Sequence, residues 1–164
     1  MLGTITHQLT TNTRKLLTWV LCFCVLAGLL SFQTSQDNPD AILGDWKTGA
    51  GNAIVRIYKN GQKYQGKIVW LKDPLDVETG KPKVDKNHPD ASNRNRPLLG
   101  LINVWGFQFD EKNSWKDGHI YDPKNGKTYA CKIKMVNNTT IEVRGYIGIS
   151  MIGRTDTWSR QEAK

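Results

Sequence analysis

Residues 53–71 read AIVRIYKNGQKYQGKIVWL, and this stretch narrows the folds open to the chain more than any other. Asn60-Gly61 tolerates the positive φ angles of a type I′ turn, so the β-rich runs on either side are predicted to pair as an antiparallel hairpin. In the second run Tyr64, Gly66, Ile68 and Trp70 alternate with Lys63, Gln65 and Lys67. A period of two with one apolar and one charged face predicts a half-buried strand, with all four of the first set on the buried side.

The same pattern recurs along the chain. ILGDWKT reads as a first strand, after a short exposed lead-in. LLGLINVWGFQF is apolar on both faces, which predicts a strand covered on both sides. Residues 111–117 read as a polar connection around Trp115. GHIYD and KTYACKIKMV form a hairpin across PKNG. TTIEVRGYI follows the turn at Asn137-Asn138, and GRTDTWSR ends the series. That is about eight strands with no helix pattern among them. Parallel pairing needs a long crossover, and only 72–97 is long enough to supply one. The fold class expected is therefore all-β: a single antiparallel up-and-down barrel of about eight strands, which removes exposed edges by closing. Such a barrel either encloses one small ligand or fills itself with side chains.

Not all 164 residues belong to that domain. Arg14 and Lys15 precede the apolar run LLTWVLCFCVLAGLL at 16–30. A short basic region before a short apolar core is the pattern of a secretory signal, about 14–35, with cleavage expected between Ser31 and Gln36. The run is shorter than the roughly 20 residues of a membrane-spanning helix, so no stable span is expected after cleavage. An uncleaved N-terminal anchor is the alternative. Cys22 and Cys24 form no lipoprotein box. The expected domains are thus 1–35, leader and lead-in, and 36–164, the barrel, in a secreted and periplasmic protein.

Losing Arg14 and Lys15 with the leader leaves 21 basic against 15 acidic residues, a net charge of +6. The positive charges are scattered, as on a solvated β-surface with blunted edges, so no nucleic-acid partner is expected. Cys131 alone survives in the mature chain, which leaves no internal disulfide to form. It alternates with Tyr129, Ile133 and Met135 and is expected to be an inert buried thiol.

The segment 72–97 breaks the strand pattern. A structureless stretch of that length is uncommon in a compact domain. Its prolines stiffen it. Asp73, Asp85, Asn87 and Asp90 can cap turns, and Arg94 and Arg96 offer forked donors to those carboxylates. The segment is expected to order itself over one barrel mouth, either as a plug held by an Asp–Arg network or as a lid over a ligand.

The last strand offers further candidates. Arg154, Asp156, Trp158 and Arg160 share one face by alternation. If Trp158 points inward, Arg154 and Asp156 do too, either paired with each other or lining a polar cavity. Arg144 reaches the mouth only if Gly145 permits a bulge. Trp105, Tyr121 and Tyr146 are candidate aromatic walls. Trp46 and a basic residue of the last strand, Arg160 or Arg154, are expected to form a cation–π pair at the barrel floor.

Catalytic and metal readings find little support. His88 lies near Asp90 in NHPD, but no third ligand is spaced to join them. DPKNGK echoes the start of a calcium loop without its later ligands. No nucleophile, base and orienter can be assembled, although Asp85 with Asp90 offers a pair of carboxylates. No cofactor, metal or catalytic residue is expected.

The pairing of a G-x-W start (GDW) with a basic residue on the final strand resembles lipocalin and fatty-acid-binding barrels. A wider resemblance covers nearly the whole mature chain. ILGDWKT, TGKPKVDKNHPD, NRNRPLLGL, GHIYDPKNGKTYACKI, VRGYIG and GRTDTWSR together resemble the secreted bacterial family known as domain of unknown function 2147. That resemblance implies export, one domain and a lipocalin-like barrel. It implies no reaction and no catalytic residues. The function expected is non-covalent binding of an apolar or amphipathic small molecule inside the barrel, anchored by Arg94, Arg96, Arg154 and Asp156. The alternative is a solid barrel that binds an envelope protein or the cell wall through its surface.

Overall fold

A computed structural model describes residues 37–162 of the chain. The expected leader, with Cys22 and Cys24, lies outside these residues. Eight strands follow one another: β1 (Gly44–Lys47), β2 (Ala53–Asn60), β3 (Lys63–Leu71), β4 (Ile102–Phe109), β5 (Ser114–Asp122), β6 (Lys127–Asn137), β7 (Thr140–Tyr146) and β8 (Gly153–Gln161). Each pairs antiparallel with the next, and β1 returns to β8 to close the barrel. The all-β, up-and-down architecture expected from the alternation is the one observed.

The lumen is filled by side chains. Val55 and Ile57 of β2, Val104 and Phe107 of β4, Cys131 and Ile133 of β6, and Ile141 and Val143 of β7 are all buried, as are Trp46, Trp115 and Trp158. Burying one such aromatic contributes roughly 2–3 kcal/mol. An exposed ion pair such as Lys116–Asp110 contributes roughly 0–1 kcal/mol, so the core and not the surface charge holds the fold. Two glycines show how full the lumen is. A methyl group on Gly66 would meet Val104 and Val55 at 2.7 and 2.8 Å, and one on Gly118 would collide with the Phe107 ring.

One end is shut by a 3-10 turn, Pro39–Ile42, capped by Asn38. It accepts hydrogen bonds from the indoles beneath it: Trp46 Nε1 to Ile42 O at 2.8 Å and Trp115 Nε1 to Pro39 O at 3.1 Å. Tyr64 adds its hydroxyl to Asp40 Oδ1 at 2.6 Å. Arg160 lies over the Trp46 ring, 4.2 Å from its centre, and donates to Leu43 O at 2.7 Å and Ala41 O at 2.6 Å. A buried indole thus has its N–H satisfied and its face covered by a cation, the arrangement such a ring favours.

Three sequence expectations are altered, two of them by bulges. Val55 pairs with Ile68 but Ile54 with Trp70, so an extra residue at Val69 turns Trp70 outward, 40% exposed, instead of onto the buried face. The supposed polar connection around Trp115 is strand. β5 begins at Ser114, and Trp115 faces Phe109 in the core. The alternation is disguised because Asp117, at φ 59°, forms a bulge between Trp115 and Gly118. The first strand is also shorter than expected, since Ile42 belongs to the 3-10 turn.

Candidate functional site

The segment 72–101 leaves β3 at the end of the barrel opposite the 3-10 turn and orders itself through its own polar side chains. Asp76 caps a turn by accepting from the N–H groups of Glu78 and Thr79, each at 3.1 Å. Asp90 caps the 3-10 turn Ala91–Asn93, accepting from Ser92 N at 2.9 Å and Ser92 Oγ at 2.8 Å, and these bonds hold its carboxyl below the usual carboxylate range. Short bridges join Leu75 to Pro82 and Val84 to Pro97. Asn87 Nδ2 donates to the carbonyls of Pro123 and Lys124, at 3.1 and 3.0 Å, tying the segment to the β5–β6 turn.

At its centre lies Asp85, 0% exposed. Its Oδ2 accepts from Arg96 Nε at 3.0 Å and Nη2 at 2.8 Å, and its Oδ1 accepts from Tyr121 Oη at 2.7 Å. A buried carboxylate needs partners of this kind. The Arg96 guanidinium also lies over the Tyr121 ring, 5.5 Å from its centre. Burial, with the Asp85 contact, pushes the Tyr121 hydroxyl up to about 12. Arg94 behaves differently from Arg96. It donates to the carbonyl of His88 at 2.8 Å and so braces backbone, not a carboxylate. Asp73 stays exposed outside this network.

The segment does not simply cap the mouth. Ile120 pairs with the fully buried Val104, so Ile120 takes the lumen face and Tyr121 takes the outer one. Trp105 pairs with the exposed His119 and stacks on it at 5.7 Å, again on the outer face. Leu98 and Leu101 turn into the core, while residues 85–96 lean on the outer flank of β4–β6. Between that flank and the segment is an open cleft of about 290 Å³. Trp105, Tyr121, Ile102 and Thr128 come from the strands, and His88, Pro89 and Arg96 from the segment. Trp105 and Tyr121, expected as walls of the lumen, are walls of this outer cleft.

The other sequence candidates lie elsewhere. Arg144 is on the outer face, paired with Lys132 and Thr155, and the bulge it would need to reach the mouth is absent from β7. Tyr146 shares that face, opposite Ala130. Asp156 does not pair with Arg154. It accepts from Trp158 Nε1 at 2.7 Å and Gly49 N at 3.3 Å, and the β1–β2 turn packs against it. Arg154 is exposed at the rim. Of the eight candidate ligand contacts, then, Arg96, Trp105 and Tyr121 are brought together. His88 joins them, its ring 5.7 Å from that of Tyr121. Spacing places His88 beside Asp90, and its Nδ1 does accept from Asp90 N at 3.0 Å; what spacing does not reveal is that the ring also meets a strand residue far along the chain.

Chemically the cleft offers flat aromatic surface, one aliphatic side chain and one guanidinium. Nε and Nη2 of Arg96 are committed to Asp85, and Nη1 takes no part in that pair. Such a mixture suits a small amphipathic molecule with a flat apolar part and an anionic end.

Residues 44–160 match the family described as "Uncharacterized protein conserved in bacteria (DUF2147)". No curated protein matches the chain. Among solved structures, the barrel is similar to protein HP1028 from Helicobacter pylori, described as belonging to the lipocalin family. That likeness has a TM-score of 0.63 and 24% identity, covering 74% of this chain and 83% of that one. At such identity it bears on the fold alone.

Proposed function

This chain belongs to the DUF2147 family, whose description assigns no activity, and from that premise we propose that it is an exported, periplasmic, non-catalytic barrel that binds a small amphipathic molecule. The binding place is the cleft on the β4–β6 flank and not the lumen. The observation that carries this is the cleft itself: aromatic strand residues and a tethered guanidinium facing about 290 Å³, just below the roughly 300–1,000 Å³ typical of ligand pockets. The lumen supports no such use at mid-barrel, where even a methyl group added at Gly66 or Gly118 would collide with Val104, Val55 or Phe107. Export rests on the basic residues and apolar run at 14–30.

Titration with anilinonaphthalene sulfonate, an aromatic anion, tests the cleft. Trp105→Ala removes one wall and Thr128→Trp fills the space, and each is expected to weaken binding at least about tenfold, the effect of losing roughly 1.4 kcal/mol of contact. Unchanged affinity in both variants would rule the cleft out. Native mass spectrometry of protein from its own envelope should also retain a small mass. N-terminal sequencing of that material should begin between residues 32 and 36, and a start at residue 1 would end the case for a cleaved leader.

A further inference from the structure

The β7–β8 connection reads IGISMI, residues 147–152. In a domain that buries its other long apolar runs, this one is held out in solvent. Ile147 is 68% exposed, Ile149 61%, Met151 83% and Ile152 68%. Four large apolar side chains within six residues are not the scattered exposure normal for a surface.

The tip is also built so that its backbone has little need of water. Arg144, from the outer face of β7, donates through Nε to Ser150 O at 2.8 Å and through Nη2 to Met151 O at 3.1 Å, while Nη1 donates to Thr155 Oγ1 at 2.9 Å. Ile147 N donates to Ile152 O at 3.3 Å, and Ile152 N to Ile149 O at 3.1 Å. Gly148, at φ 69°, makes the turn. One guanidinium thus occupies carbonyls that would otherwise face the medium, which matters where that medium cannot hydrogen-bond.

Charge supplies the occupant. Residues 143–155 hold no acid and two arginines, Arg144 and Arg154. The barrel order places the β5–β6 and β1–β2 turns on either side of the tip. These turns and the strand ends beside them bring Lys124, Lys127 and Lys47. Their acid, Asp122, is occupied in capping, accepting from Lys124 N at 3.0 Å and Asn125 Nδ2 at 3.0 Å. An apolar tip in a basic collar matches the layered chemistry of an anionic bilayer, with acyl chains beneath phosphate headgroups. Four side chains offer a few hundred Å² at most, well under the ~800 Å² per partner of a stable protein interface.

We propose that the β7–β8 tip is an interfacial anchor that seats this end of the barrel on an anionic lipid surface. The barrel itself stays outside the bilayer, since Arg56, Lys67, Lys116 and Lys132 are exposed on its outer face, where lipid contact would be costly. Ile147, Ile149, Met151 and Ile152 enter the headgroup–acyl boundary, and Lys47, Lys124, Lys127 and Arg154 meet the phosphates.

Hydrogen exchange on the full chain tests this, because it reports each segment separately. Vesicles of phosphatidylglycerol and phosphatidylcholine are compared with phosphatidylcholine alone. Anionic vesicles should slow exchange across 147–152 about tenfold or more, with the effect falling as salt rises. In Ile149→Ser/Met151→Ser the slowing should vanish, while the protection of β2 through β6 stays as in the parent. Slowing confined to residues 1–36 would overturn the proposal, as would equal slowing with neutral vesicles. So would slowing at the tip that grows with protein concentration in the absence of lipid, which would assign the patch to a second copy of the chain.

Discussion

Gly118 sits where the Phe107 ring crosses the lumen, and no side chain beyond hydrogen fits beside that ring. Gly118→Ala should therefore destabilise by about 1–3 kcal/mol, the cost of overpacking a filled core. Chemical denaturation with an unchanged slope would measure it, and a neutral outcome would mean that the ring has room to move. At the floor, Arg160 has four tasks on one guanidinium: it covers the Trp46 face, and it donates to Leu43 O, Ala41 O and Asn138 O. Arg160→Ala removes the side-chain donor from three carbonyls, and about 2–3 kcal/mol of stability should be lost. Lysine should recover little of this, since it has a single ammonium where a fork is used.

Among the elements, the 72–101 segment is the one organised around a buried carboxylate. Asp85 joins Arg96 to Tyr121 and so joins the segment to β5. Asp85→Ala should leave Arg96 to turn into solvent and should speed amide exchange across 83–98. Most amides of β2, β3 and β6 should keep their protection, because their ladders do not involve Asp85. A uniform loss of protection would show instead that the segment is part of the global folding unit. Much of this element was legible: its length, its prolines and its mixture of Asp, Asn and Arg announced an ordered loop, and the Arg96–carboxylate pairing was among the options. Its resting place was not. Tyr121 and Trp105 read as lumen residues because both are aromatic and strand-borne, but parity is kept only until a bulge intervenes. Gly106, at φ 83°, and Asp117, at φ 59°, each insert a residue into the β4–β5 ladder region. One residue reverses every face beyond it. The same mechanism hid Trp115 in a supposed turn and moved Trp70 outward. The exposed IGISMI tip was missed for another reason. Its composition continues that of β7, and nothing in apolar residues alone says where a strand stops.

For the whole molecule, pH provides a test of how the parts are joined. Burial first, and the carboxylates they donate to second, push Tyr64 and Tyr121 up to about 12. The unfolded chain ionises tyrosine near ~10. A raised value means the fold prefers the protonated phenol, so the stability these groups contribute is complete below pH ~10 and is lost as pH rises from there through about 12. Asp40, Asp45, Asp76 and Asp90 are held low: Lys59 and Tyr64 do so for Asp40, Arg56 for Asp45, and backbone N–H groups of Thr79 and Ser92 for the other two. Their contribution is present above ~3.9 and lost as pH falls below it. The melting temperature should therefore fall off on both sides, and Tyr64→Phe should flatten the alkaline limb. An alkaline limb that is unaltered by both Tyr64→Phe and Tyr121→Phe would show that other groups govern it.

The barrel is a ribbon whose first and last strands meet over three residue pairs: Asp45 with Gln161, Trp46 with Arg160, and Lys47 with Ser159. The β2–β3 pair, by comparison, runs over eight. If the cylinder ever unzips, this hem is where it gives way, and opening it bares two strand edges at once, each able to recruit a foreign strand. Arg160 sits in that hem with its guanidinium fastened to carbonyls on the far side. Loosening that fastening should therefore raise the tendency of the short seam to act as a template for foreign strands.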